Sequence, residues 1–174
     1  MPVNNQKGLI REDINSALSQ DCRRLKGIIS DNKSTDWTWE GCLTVYSSNS
    51  CVEMIPHGEN LDPIANWLTD AKNSKATYAK ILFSDDLLTR DCVSKMVQAF
   101  SEEVEYIQST HLICALPNTA EPWYQFSSSR GYTFSIWSPL IHFRYAITPG
   151  AWSHASPRAG LFRREDVISS LKKS

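Results

Sequence analysis

Glycine is scarce in this chain of 174 residues: there are seven, and none of them cluster. A phosphate cradle of nested backbone N–H groups therefore has no sequence support, and neither a P-loop nor a dinucleotide-binding glycine pattern occurs. The G-x-S-x-G turn that presents a catalytic serine is also missing. The five cysteines (Cys22, Cys42, Cys51, Cys92 and Cys114) are odd in number, widely spread and without a C-x-x-C pair. They read as reduced, mostly buried thiols of an intracellular protein. Of the four histidines (His57, His111, His142 and His154), no two stand at helical ligand spacing, so a zinc site would have to be gathered by tertiary folding. His111 and Cys114 would face opposite sides of a strand and do not suit a Cys–His nucleophile pair. No apolar run approaches the roughly 18 residues that span a bilayer. The opening MPVNNQKGLIRED has no apolar signal core. A net charge of −1 removes the bulk positive field of a general nucleic-acid binder.

What is present is enough apolar residue, 41% of the chain against 21% charged, for one globular domain with a real core. The stretch Tyr78 to Ile107 organises the rest. Tyr78 to Phe83 reads as a buried strand, which Ser84, Asp85 and Asp86 break. Leu88, Cys92, Val93, Met96, Val97 and Phe100 then fall in steps of three and four, a helical stripe capped by Thr89 or Asp86. A second strand is expected from Val104.

Before this unit, residues 1 to 8 read as loose, and Ile10 to Leu25 as an amphipathic helix with Gly27 near its end. Ser30 to Asp36 reads as a polar linker. Trp37 to Tyr46 and Cys51 to Ile55 read as a β-hairpin. Asp62-Pro63 is a strong helix start, a capping carboxylate followed by proline at the first helical position. After the unit, the expectation is a strand over His111 to Leu116, a short helix over Glu121 to Ser128, and strands around Tyr132–Trp137 and Phe143–Ile147. A Pro/Gly/Ser loop over Pro149 to Gly160 and a short helix over Arg163 to Lys173 complete the chain. The fold class expected is α/β (α+β), a mixed β-sheet flanked by two or more helices in a single domain. Its divisions are residues 1–36 (helix and linker), 37–149 (the α/β body) and 150–174 (loop and basic tail).

The feature most open to a binding role is the acidic corner Glu102, Glu103 and Glu105. Its plain reading is a solvated face at a helix end. Carboxylates there oppose the helix dipole, so a binding purpose, steering a basic partner surface, stands beside it. Trp123, Tyr124, Trp137 and Trp152 fall in turn-rich sequence and serve either a core or an interface.

The order of these segments resembles the ornithine decarboxylase antizyme family. In one register CVEMIPHG (51–58) is similar to the family's apolar strand, followed by IANWLTDAK, YAKILFSDD and TRDCVSKMVQAF in the family's order. In another, FSEEVEYIQSTHLICALPN and FSSSRGYTFSIWSPL carry the likeness. The resemblance implies an acetyltransferase-like core without enzymatic activity or cofactor. It also implies an inhibitor that captures the ornithine decarboxylase monomer and carries it to the 26S proteasome without ubiquitin, from a frameshifted message in polyamine homeostasis. No nucleic acid or membrane partner is implied, and the location is cytoplasmic or nuclear. Glu102 and Glu103 match, in the second register, acidic residues that the family turns toward the decarboxylase. The rivals are an acetyltransferase using acetyl-coenzyme A, similar through Ser129-Arg130-Gly131-Tyr132, and an unrelated interaction domain. The acidic SDDLLTRD would repel a pyrophosphate where such an enzyme binds one.

Overall fold

In the computed structural model, residues 1–83, 86–100, 106–108, 111–113, 124–126 and 160–172 are described. The chain begins with a parallel sheet. Strands β1 (Pro2–Val3), β2 (Gly27–Asp31) and β3 (Val52–Pro56) lie in that order, β1 and β3 each parallel to β2. Helix α1 (Ile10–Leu18) connects β1 to β2, and α2 (Thr38–Tyr46) connects β2 to β3. Parallel neighbours need such crossovers, because a tight turn cannot bring the chain back to the same edge.

Several sequence expectations change here. The first residues are not loose, since Pro2 and Val3 pair with Ser30 and Asp31. The first helix stops at Leu18 rather than Leu25, and Gly27 opens a strand. The supposed linker begins inside β2. The hairpin over Trp37–Ile55 is absent: its first half is helix α2, and β3 pairs with β2. The β-forming residues of TWEGCLTVY suggest a strand. Yet Thr38, Cys42 and Tyr46, four apart, are its buried side, and burial of that stripe overrides the local preference.

Strand β2 runs through the centre of this sheet, and its alternation assigns the two faces. Ile29 packs with Val3, Ile10, Ile14, Cys42 and Tyr46, joining the sheet to α1 and α2. Its neighbour Ser30 points the other way and meets Asn66 and Asp70 of α3 (Pro63–Asn73). Helix α3 starts where the sequence predicts: Asp62 Oδ1 accepts from Ala65 N at 3.0 Å, with Pro63 at the first helical position.

The second sheet is antiparallel, with β8 (Gly160–Arg163) between β4 (Tyr78–Ala79) and β5 (Tyr106–Gln108). The expected strand over Tyr78–Phe83 thus pairs only through its first two residues, although Leu82 is buried. Gly160 is required at the head of β8, because a Cβ there would collide with the Phe162 ring. Phe162 packs with Ala71 of α3 and with Val167 and Leu171 of α5 (Arg164–Leu171), the expected C-terminal helix. Helix α4 (Cys92–Gln98) follows the predicted stripe but starts later, with Asp91 rather than Thr89 or Asp86 at its N-cap position and no side-chain cap bond from it. Gln20 reaches across to its first turn, accepting from Val93 N at 2.9 Å while donating to Thr89 O at 2.8 Å. Strands β6 (His111–Ile113) and β7 (Tyr124–Phe126) pair antiparallel, so Tyr124–Phe126 is strand where a helix is predicted. The expected strands around Tyr132–Trp137 and Phe143–Ile147 lie outside the described residues.

Candidate functional site

Because β1, β2 and β3 are parallel, their carboxyl ends (Val3, Asp31 and Pro56) share one edge. Ligands of open α/β sheets bind outside that edge, where loops rather than helices cover the strands. Three short loops meet there, residues 4–9, 32–37 and 57–62, and they are bound tightly to one another.

Asn32 is their hub. Its backbone N–H donates to Val3 O at 2.8 Å, and its carbonyl accepts from Asn4 Nδ2 at 2.7 Å. Its side chain donates to Leu61 O at 2.8 Å and Asn60 Oδ1 at 3.0 Å, and accepts from Leu61 N at 2.7 Å. Backbone and side chain together, this one residue ties all three strand ends. Around it, Asn5 N donates to Ser34 Oγ at 2.9 Å and Thr35 N to Asn5 Oδ1 at 2.8 Å. Gln6 N donates to the Thr38 hydroxyl at 2.8 Å. The same hydroxyl donates to Asp36 and holds that carboxyl below the usual carboxylate range.

Asp31, at the end of β2, is the carboxylate that stands at this edge. It is only 4% exposed. Its Oδ2 accepts from Ser34 N at 3.0 Å, whereas Oδ1 is buried without a hydrogen-bond partner. A buried carboxylate oxygen is costly when unsatisfied, and a ligand N–H or O–H is one way to satisfy it. Backbone strain collects at the same edge. The residues other than glycine with positive φ are Asn5 (54°), Lys33 (61°) and Trp37 (69°) among the described residues, all in the first two loops.

Behind the edge runs a buried polar chain. Ser30 Oγ lies 2.8 Å from Asp70 Oδ2 and 2.9 Å from Asn66 Oδ1, and Asn66 Oδ1 is 3.0 Å from His57 Nε2. His57 N also donates to Asp31 O at 2.9 Å, which seats this half-buried ring at the end of β3. Burial raises the Asp70 carboxyl above its usual range; the nearby Met1 amino group and the Ser30 hydrogen bond oppose that. Among the described residues, no three His, Cys, Asp or Glu side chains come together to hold a metal ion.

The residues singled out from sequence, Glu102, Glu103 and Glu105, lie outside the described residues. Asp31 and Asn32 were expected in a linker, and Trp37 and His57 at the ends of a hairpin. The signal that could have found them is a pair of isoleucines followed by Ser-Asp-Asn, a buried strand ending in side chains that bond to neighbouring loops.

Comparison with known proteins accords with this geometry. The family description "Glycosyl transferase family 2" matches residues 1–169. Among solved structures, the mannosyltransferase PcManGT from Pyrobaculum calidifontis, in complex with GDP-Man and Mn2+, superposes with a TM-score of 0.58 at 20% identity. That match covers 62% of this chain and 33% of that one. S. aureus TarS 1-349 gives 0.63 at 16% identity, covering 94% of this chain and 45% of that one. The same protein in complex with UDP-GlcNAc gives 0.62 at 16% identity, over 94% and 44% of the two chains. The chain thus spans less than half the length of these structures. No curated protein sequence matches it.

These findings overturn the antizyme reading. A non-enzymatic inhibitor, its decarboxylase and proteasome partners, and the polyamine and frameshifting associations all rested on the order of segments, and the family match replaces them. The strand of the first register, 51–58, is real but parallel to β2 rather than part of a hairpin. The α/β class stands, while the acetyltransferase-like label finds no support in the structures matched. Matched over residues 1–169, the chain belongs to glycosyl transferase family 2.

Proposed function

We propose that the protein is a glycosyltransferase, or a part of one, that binds a nucleotide-sugar donor at the carboxyl edge of β1, β2 and β3. The observation that carries this reading is the buried, unpartnered Oδ1 of Asp31 at that edge in a chain of this family. Strapped together through Asn32, the loops form a preorganised rim, which lowers the ordering cost of binding. In the reaction, the bond from the sugar's anomeric carbon to the diphosphate oxygen breaks, and its electron pair leaves with the nucleotide. An acceptor hydroxyl forms the new bond to that carbon and gives up its proton. The part assigned to Asp31 is donor binding, accepting a hydrogen bond from the nucleotide portion. Side chains of the described residues do not assemble a cation site, so no step is derived through a metal.

Isothermal titration with UDP-GlcNAc and GDP-Man tests this. The protein should bind at least one of them, and Asp31→Asn should weaken it about ten- to a hundredfold, the worth of one charge-assisted hydrogen bond. Failure of the wild-type protein to bind either would refute the reading.

A further inference from the structure

Trp37 combines two unfavourable features. Its backbone sits at φ 69°, where a bulky side chain is a genuine outlier, and the residue is 68% exposed. Packing does not explain either, since so exposed a ring gains little from burial. Capping does not explain them: Asp36 Oδ1 accepts from Thr38 N at 3.1 Å, so the start of α2 is served by the residue before Trp37. Glycine would take the same backbone shape without strain. A strained residue that its surroundings hold in place motivates a search for function.

The location supplies one. Trp37 closes the β2–α2 loop, whose other end is Asp31. The polar groups of this rim are largely consumed internally, Asn5 with Ser34 and Thr35, Gln6 with Thr38, and Lys7 N with Asp36 Oδ2 at 3.3 Å. Besides the exposed Lys33, the loop offers a ligand a buried acceptor oxygen and a large flat aromatic face. A nucleobase is read by that pairing, a hydrogen bond at its edge and a ring against its face.

We propose that Trp37 is a stacking platform for the nucleobase of the donor. This rests on the donor-binding reading above and adds a binding residue to it.

The test is Trp37→Gly, read by melting temperature and by isothermal titration with UDP, GDP and the matching nucleotide sugars. Relief of strain should raise the melting temperature by about 2–4 °C. Loss of one base–aromatic stack should weaken the nucleoside diphosphate about tenfold. Trp37→Phe, which keeps the strain and a smaller ring, should show intermediate affinity and no gain in melting temperature. A more stable Trp37→Gly protein that binds the diphosphate as tightly as wild type overturns the proposal. A loss seen with the nucleotide sugar but not the diphosphate also overturns it and assigns the indole to the sugar ring. If wild-type protein binds no nucleotide at all, the donor-binding reading fails and this proposal falls with it.

Discussion

Asn32→Asp replaces one atom's chemistry without changing shape, and the structure says what that costs. The Asn32 amide is buried, and its Nδ2 faces Leu61 O at 2.8 Å while its Oδ1 accepts from Leu61 N at 2.7 Å. A carboxylate keeps the second bond. It turns the first into two acceptor oxygens face to face, and Leu61 O is a backbone group that cannot change its role. Asn60 can relieve its own contact, 3.0 Å away, by turning its amide. One lost donor bond in a buried place costs about 1–3 kcal/mol, and burying the new charge beside Asp31 adds to it. A penalty of about 3–4 kcal/mol at pH 8 follows.

Protonation discriminates this account from simple damage. A neutral carboxyl can donate to Leu61 O, so the folded state prefers the proton and its pKa rises above the unfolded value of about 3.9. For a raised carboxyl, stability is retained below the unfolded value and lost as pH climbs through the folded one. Each unit of rise adds about 1.4 kcal/mol to the penalty at high pH. Urea unfolding of wild type and variant at pH 4.5 and pH 8 measures it, the difference between proteins cancelling effects common to both. The penalty should be larger at pH 8 by at least one such increment. An equal penalty at both values would refute the assignment of donor and acceptor at this hub.

Two further outcomes follow from buried groups near the same edge. Burial raises Asp70, so its contribution favours folding at acid pH and is lost as pH rises through its folded value. Thermal melts of Asp70→Asn should therefore gain on wild type as pH goes from about 4 to 7 and then level off; a pH-independent difference counts against this. Burial, with the Asp31 charge adding to it, pushes the Cys42 thiol up to about 11. Iodoacetamide on folded protein at pH 8 should thus label exposed Cys51 and spare Cys42, as peptide mass spectrometry would show. Labelling of Cys42 at a comparable rate would contradict its place on the buried side of α2.

Parts of the fold were legible because local chemistry and tertiary structure agree there. Asp62-Pro63 starts α3 as its cap chemistry demands, and Val167, Ile168 and Leu171 gave the C-terminal helix by spacing alone. Strand β2 was hidden for the opposite reason. Its Ser30 is fully buried against Asn66 and Asp70, polar group on polar group, and hydropathy reads such a strand as surface. Strand β1 is two residues long and leaves no period to detect. Nor is the candidate edge marked by charge density, because Asp31, Asn32 and Trp37 are gathered there by loops meeting at a sheet edge.

One local error carried most of the functional misreading. Taken as a strand, residues 37–46 make a hairpin with β3, and antiparallel strands send their carboxyl ends to opposite edges. No common edge then exists for Asp31 and His57 to share, and the remaining pattern of strand, helix and strand suits many unrelated α/β families. Taken as a helix, the same ten residues make a crossover. Then β2 and β3 become parallel, and Asp31 and Pro56 come level in register. His57 N reaches Asp31 O at 2.9 Å. Glu40 and Thr44 decide between these: in a strand they would share one face with buried Thr38, Cys42 and Tyr46, whereas the helix leaves both exposed. The location of the candidate site was thus available in the sequence, carried by two polar residues, Glu40 and Thr44, that β-propensity had outvoted.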